Sequence, residues 1–297
     1  MAALPRSLML VQNQCPGDIL MMTAAVRDLH KAYPDIKIVV STTNQYLWEN
    51  NPNITLGFRA DRIIRLGYET PRMRGFKGEK HHFIYAFHDT LEKELGIRIP
   101  RGEPYPDIYL SDKERSGRII SNKPALLVNA GSKNDFPIKQ WPVERYQQVV
   151  DALKDEYTVI QIGDTRRGEK HPKLDCVLSA VNQTPERSLL SLMYSADAVL
   201  TGVSYPMHLC AALNAKDDKK RKCVVVAGWR EDPYWEKYPD HDYLTGKPCE
   251  QCLEHACWRR YLSARGHNPA EVCTNVEHGG AKCMTDISVE EVVTCLR

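Results

Sequence analysis

The chain states one short pattern twice: an apolar strand, a turn carrying glycine, a helix with one apolar face, then another strand. Residues 7–11 (SLMLV) are an apolar run suited to a strand covered on both faces. Pro16 and Gly17 break it. Ile19, Met22, Val26 and Leu29 then recur at helical spacing until Pro34 stops the helix. Residues 36–40 (IKIVV) are strand-like again. A strand–helix–strand unit implies a parallel sheet with a right-handed crossover. Residues 62–66 read as a further strand and 81–96 as a helix. A polar, proline-bearing stretch at 100–122 reads as a linker. The pattern then restarts, with strands at 125–129 (ALLVN), 157–162 (YTVIQI), 198–201 and 223–227 (CVVVA), and helices at 142–153, 187–194 and 206–213. Pro142 suits the first turn of its helix. Residues 216–222 (KDDKKRK) read as a solvated turn.

Two such halves predict an α/β architecture of two Rossmann-like domains facing a central cleft, at 1–115 and 116–297. The length of 297 residues accommodates both. In open parallel sheets ligands lie at the carboxyl ends of the strands, so the strand-to-helix turns carry the functional expectations. Forty Lys and Arg against 38 Asp and Glu leave a net charge of +2. That argues against a nucleic-acid binder, because such affinity needs surplus cations. No run of about 18 apolar residues is present, so no transmembrane helix is expected and only peripheral membrane contact stays open. The first residues lack a basic segment followed by an apolar one, and a cytoplasmic location is expected.

Five turns stand out. In the first, Gly17 lets a backbone approach a ligand and Asp18 sits at the helix start. On position alone Asp18 is either a capping aspartate or a group at the cleft. The second runs from Asn129 past Ser132 to Lys139, a lysine just before a helix and therefore either solvated or facing an anion. The third holds Ser204, Met207 and His208, with Ser204 placed to cap the helix and Pro206 in its first turn; His208 either bonds a ligand or packs. Gly163-Asp164 ends a fourth strand, and residues 228–233 (GWREDP) follow a fifth. Together the turns point to a phosphorylated, nucleotide-bearing ligand.

At this point GDILMMTAAVRDLHKAYPDIKI (17–38), NAGSKNDFPIKQWPVERY (129–146), SLLSLMYSADAVLTGVSYPMHLCAAL (188–213) and CMTDISVEEV (283–292) resemble, in order, segments of family 9 glycosyltransferases, the heptosyltransferase group. The resemblance implies a GT-B fold and inverting transfer from a nucleotide-diphosphate sugar, usually ADP-heptose, to a glycan, lipopolysaccharide or protein hydroxyl. It implies that Asp18 is the general base, that Lys139 meets the donor phosphates, and that Ser132, Ser204, Met207 and His208 lie in donor-binding segments, with Gly17 and Gly163 in the neighbouring turns. No catalytic cofactor is implied. The nucleotide diphosphate gains charge as it departs, and a lysine and a helix terminus stabilise it without a metal. One departure stands out: the family reads Asp-Ser-Gly before Pro-Met-His, whereas this chain has Val203-Ser204-Tyr205. A sugar-nucleotide epimerase and a non-catalytic binding module are the competing readings.

Ten cysteines complete the pattern. Cys249, Cys252, Cys257, Cys273 and Cys283 fall within one short segment, 249–283, at a spacing that suits a tetrahedral thiolate site. Some relatives of the resembled family carry a cysteine-bound metal finger near this place. Four of these five are expected to hold a structural zinc or iron; reduced thiols and disulfides are the alternatives. Cys210 and Cys223 lie in apolar elements and read as core.

Overall fold

The computed structural model describes residues 4–67, 82–133, 137–166, 168–229, 231, 233–249, 273, 275–278 and 280–297. The fold is α/β with parallel sheets. In the N-terminal half β1 (Ser7–Gln12) lies between β2 (Lys37–Thr42) and β3 (Arg62–Arg65), both parallel to it, with Leu8 opposite Ile38 and Arg62. Helix α1 (Pro16–Ala32) joins β1 to β2 and buries Ile19, Leu20, Met22, Val26 and Leu29, the face its periodicity predicts. Helix α2 (Ala86–Leu95) ends at Gly96, whose φ of 65° is the left-handed conformation glycine adopts without a Cβ clash.

A buried polar network fastens α1 to residues 102–107. Asp28 accepts from His88 Nε2 at 2.8 Å, Arg27 Nε at 2.8 Å and the Gly102 N–H at 2.8 Å. Burial works against its charge, but these three donors hold its carboxyl down at about 2. Arg27 also donates to the carbonyls of Glu103 and Tyr105, and Thr23 Oγ1 accepts from the Asp107 N–H at 2.6 Å. The threonine and arginine of the 17–38 segment are therefore fasteners of the chain that follows. Within the expected linker, α3 (Asp112–Ser116) starts on a capping box between Ser111 and Glu114.

The C-terminal half holds β4 (Ala125–Asn129), β5 (Ser132–Lys133), β6 (Thr158–Gln161), β7 (Glu169–Lys170), β8 (Leu178–Ser179), β9 (Ala198–Gly202), β10 (Lys222–Val226) and β11 (His241–Leu244). Among the described residues the main sheet runs β11-β10-β9-β4-β6-β8, parallel throughout. The order reverses at β4, with β6 on one side and β9 on the other; open α/β sheets bind ligands at such a switch point. Helices α4 (Val143–Leu153), α5 (Glu186–Ser195) and α6 (Tyr205–Lys216) flank the sheet. Pro142 is the residue before α4, one position earlier than its sequence suggests. The C-terminal helix Val289–Leu296 docks beside α4, where Trp141 Nε1 donates to the Ile287 carbonyl at 3.1 Å and Arg145 donates to those of Thr285 and Ile287.

One apolar cluster runs through both halves, taking in Leu8, Ile19, Phe87, Ile108, Leu127, Met207 and Val225. Polar ties reinforce it. Arg187 of α5 pairs with Glu114 and donates to the carbonyls of Tyr46 and Tyr109, both at 2.8 Å, while Lys216 pairs with Asp107 at 3.0 Å. The charged run 216–222 is mostly exposed, as expected, except for Arg221. That side chain is 1% exposed, and its guanidinium bonds the carbonyls of Met193 and Tyr194 and the carboxylate of Asp217. Burying a guanidinium is tolerable only with this many acceptors. No helix among the described residues is long and apolar enough to cross a membrane.

Candidate active site

The first turn places Asp18 at the third position of α1, not at its cap. Cys15 holds the cap position, and its N–H donates to Asp18 Oδ2 at 3.0 Å, which fixes the carboxylate over the helix start. Gly17 is buried beside it, and a Cβ there would meet the His208 ring at 3.0 Å. Glycine is needed at this point because the two halves touch here: Gly17 belongs to α1 and His208 to α6.

Lys139 enters from the short 3-10 turn Pro137–Lys139 and is ion-paired with Glu231, in the turn after β10. Close by, Glu236 of the short helix Pro233–Glu236 is 8% exposed, and its Oε2 makes no hydrogen bond. Burial pushes its carboxyl up to about 8; Glu231 and Asp18 add to the shift and Lys139 opposes it. A single carboxyl therefore feels Asp18 from the first half and Lys139 and Glu231 from the second. At neutral pH Glu236 is a hydrogen-bond donor at this place, and the Lys139 charge is balanced by Glu231.

His208 is 5% exposed, and its Nδ1 bonds the Tyr238 hydroxyl at 2.8 Å. Burial, then the neighbouring His82, His241 and Lys139, drives it down to about 3, so the ring is neutral. Tyr238 is the hub of this patch: its ring stacks with Tyr105 at 6.0 Å and packs against His82 at 4.8 Å and His241 at 5.2 Å. The Tyr238 hydroxyl thus occupies Nδ1 of His208.

Several expectations change. Ser204 stands at the cap position of α6 but does not cap it; its hydroxyl pairs with that of Thr201 at 3.0 Å and donates to the Gly202 carbonyl. Pro206 has no N–H, and the Met207 N–H bonds the Ser204 carbonyl at 3.0 Å, so this terminus offers an anion fewer donors than a standard helix start. Met207 itself is 0% exposed, a core residue rather than a cleft residue. At Gly163 a Cβ would lie 2.1 Å from the His171 ring, and at Gly131 only 2.0 Å. The exits of β4 and β6 thus clasp His171, whose Nε2 accepts from the Asp164 N–H at 3.2 Å. Ser132 lies in β5, its backbone opposite Lys170 of β7. The departing ring, Tyr205, reaches the first half, where its hydroxyl meets that of Tyr46 at 3.5 Å.

In the cysteine-rich tail, Cys252 and Cys257 lie outside the described residues. Cys273 Sγ bonds the Asn275 carbonyl at 3.3 Å. Cys283 lies against the turn after β10, 3.2 Å from where a Gly228 Cβ would stand. Among the described residues these tail cysteines do not assemble as a set of three ligands; the set that does is Cys210, Cys223 and His241.

Glu236, Tyr238 and His82 carry no motif and were missed by sequence reasoning; the one hint is a glutamate between two aromatic residues in PYWEKY, just past a strand-end turn.

A family model described as Glycosyltransferase family 9 (heptosyltransferase) matches residues 61–217. No curated protein matches the chain by sequence. Among solved structures, the family 9 glycosyl transferase from Veillonella parvula DSM 2008 is similar over 98% of this chain and 95% of its own, at 15% identity and a TM-score of 0.68. The E. coli ADP-heptose lps heptosyltransferase II is similar over 98% and 97%, at 15% identity and a TM-score of 0.64. The dodecameric iron-containing heptosyltransferase TibC, known from enterotoxigenic E. coli H10407 and solved in complex with ADP-D-beta-D-heptose, is similar over 98% and 75%, at 14% identity and a TM-score of 0.67.

Proposed function

The chain belongs to glycosyltransferase family 9, the heptosyltransferase family, and on that premise we propose that it transfers a heptose or related sugar, with inversion, from a nucleotide-diphosphate donor of the ADP-heptose kind. The acceptor is a hydroxyl of a glycan, lipopolysaccharide or protein. The observation that carries the reading is the Lys139–Glu231 ion pair of the second half beside the buried Glu236, with Asp18 next to the contact of Gly17 with His208 where the halves meet. An ADP-heptose donor is supported by two similar enzymes, one named for ADP-heptose and the other bound to an ADP-heptose.

Asp18 takes the proton as the acceptor hydroxyl attacks the anomeric carbon from the face opposite the leaving diphosphate. The Cys15 N–H that holds Oδ2 keeps the carboxylate aimed. Lys139 exchanges Glu231 for the donor phosphates and stabilises the charge that grows on the departing nucleotide, with no metal in the chemical step. The protonated Glu236 offers a hydrogen bond beside them. Gly17, Ser132, Gly163, Ser204, Met207 and His208 contribute to the donor side through the backbone and packing of their turns. Residues 1–115 form the acceptor side and 116–297 the donor side, in the cytoplasm. Four of Cys249, Cys252, Cys257, Cys273 and Cys283 hold a structural zinc or iron; the iron-containing relative supports this.

Purified chain is to be screened against ADP-, GDP- and UDP-linked sugars by thermal shift, and the donor that shifts it then assayed for transfer. Asp18→Ala is expected to lower turnover ~100- to 10,000-fold while donor affinity changes by less than about tenfold, since Asp18 meets the acceptor and not the nucleotide. Near-wild-type turnover in Asp18→Ala would sink the base assignment, and a screen in which no nucleotide sugar shifts the melting point would sink the donor reading.

A further inference from the structure

Behind the Tyr238–His208 contact lies a cluster that the transfer reaction does not use. Cys223 and His241 stand directly opposite one another in the parallel pairing of β10 and β11, so their side chains leave the sheet on the same face. Cys210 comes from α6, which packs with Cys223, Val225 and Tyr243 in the main apolar cluster. The two Sγ atoms and an imidazole nitrogen all lie within 4.8 Å of one another. Cys210, Cys223 and His241 are 0%, 1% and 3% exposed.

A buried thiol by itself is a small apolar filler, and two of them would carry no inference. The imidazole is different. Neither Nδ1 nor Nε2 of His241 reaches a partner at full hydrogen-bond geometry, although both are shut off from water; the polar group that approaches the ring is the Cys210 thiol, itself beside Cys223. Buried polar atoms are almost always satisfied, and one left alone costs free energy. The neighbours facing this ring are two sulfurs and the Tyr238 ring, packed edge-on at 5.2 Å. A cation held between the sulfurs and one ring nitrogen would satisfy the histidine, and it would give two cysteines and a histidine on three separate elements a common purpose.

We propose that Cys210, Cys223 and His241 form a buried structural site for a divalent, thiolate-seeking metal ion, Zn2+ foremost. Zinc binds thiolate sulfur at about 2.3 Å and imidazole nitrogen at about 2.0–2.1 Å, so ligand atoms already within 4.8 Å of one another close on it by small side-chain rotations. Loading releases the two thiol protons to solvent. Two thiolates then cancel the +2 charge and the imidazole adds none, so the assembly is neutral and the desolvation cost of a buried ion is largely avoided. A monovalent copper ion would leave a net negative charge in the core, and calcium or magnesium would want oxygen ligands. None of the ligands belongs to the tail group at 249–283, so the two sites load independently. The ion would bolt the starts of β10 and β11 to α6. Asn214 of α6 already does part of this, bonding the Arg221 carbonyl and Asp240 at 2.8 Å each. Through Tyr238 the bolt would also steady His208 against α1.

Crystals of the full wild-type chain, grown under reducing conditions with zinc, decide the matter by anomalous diffraction on either side of the zinc edge. The expected result is a peak in bonding contact with both Sγ atoms and one ring nitrogen of His241. No peak at this place, or continuous density joining the two sulfurs as a disulfide, overturns the proposal. In solution, the Cys210→Ala/Cys223→Ala variant is expected to carry one zinc equivalent fewer than wild type, with any metal on the tail cysteines retained. An equal zinc content in the folded variant overturns it as well. The crystal reads the wild-type chain, so the outcome does not depend on the variant folding, and neither arm depends on whether the chain transfers a sugar.

Discussion

Asp18 does two jobs, and they separate by substitution. As the third residue of α1 it accepts the Cys15 N–H, a contact worth about 1 kcal/mol in comparable caps; as a carboxylate at the junction of the halves its charge adds to the upward shift of Glu236. An asparagine can keep the first role and not the second. Asp18→Asn is therefore expected to melt near wild type and still lose transfer, a pattern that a purely structural Asp18 would not give. Glu236 makes a pH prediction. Its folded value of about 8 exceeds the ordinary 4.5, so the folded state holds a proton that the unfolded state releases, and stability falls as pH rises between those values. His208, depressed to about 3 from 6.5, acts in the opposite sense below 6.5. The Glu236 effect is thus expected to show between pH 6.5 and 8, at up to about 1.4 kcal/mol per pH unit, and to vanish in Glu236→Gln; urea unfolding at both ends of the window reads it. Asp28 has the reverse sign: its carboxyl lies at about 2 against 3.8, so its contribution is present above 3.8 and lost as pH falls towards 2. Asp28→Ala strands Arg27 and His88 without their acceptor and is expected to cost ~3–5 kcal/mol in urea unfolding.

At the scale of elements, the strand and helix positions were legible because apolar periodicity reports which face is covered. The 7–11, 125–129 and 198–201 runs became β1, β4 and β9 with boundaries within a residue or so, and the 19/22/26/29 spacing became the buried face of α1. The strand-to-helix turns were legible as turns but not as sites. Ser204 fits a cap by type, yet its hydroxyl finds Thr201 and Gly202, partners whose nearness depends on how β9 exits the sheet. Gly131 and Gly163 look like ligand-approach glycines, yet each leaves room for the His171 ring, which arrives from the loop after β7. A Gly131→Ala chain is expected to lose about 1–3 kcal/mol through overpacking, and His171→Ala in the same chain is expected to recover part of that loss. Strictly additive losses in the double variant, followed by chemical denaturation, would show that the clasp does not exist.

For the molecule as a whole, the connection between the halves sets the geometry of the site. Arg187 of α5 holds Glu114, Tyr46 and Tyr109 together, and it draws the Glu114 carboxyl down to about 2. Removing that fork leaves buried carbonyls short of a donor, so Arg187→Ala is expected to cost about 2–3 kcal/mol. Amide exchange is expected to rise across the segments it ties, residues 44–49 and 109–117, while the strands β4 and β9 stay protected. Uniform exchange change over the whole chain would instead mean general destabilisation. Tyr46 and Tyr205 cross the same junction, so the departure from the family pattern at 203–205 places a ring where the halves meet.

By itself the sequence determined the α/β class, the two parallel sheets and the family, because those rest on local periodicity and on short segments that keep their order along the chain. It also singled out Asp18 and Lys139 as the polar groups of their turns, the residues on which the proposed transfer rests. Only the tertiary structure decided which groups share a space. Glu236 lies 218 positions after Asp18 in the chain and acquires its raised pKa solely from burial and the three charges folded around it. Cys210, Cys223 and His241 are spread over three elements, and in sequence they are two core cysteines and an unremarked histidine. Desolvation and Coulomb interactions act through distances in space, and those distances are fixed by packing and not by spacing along the chain.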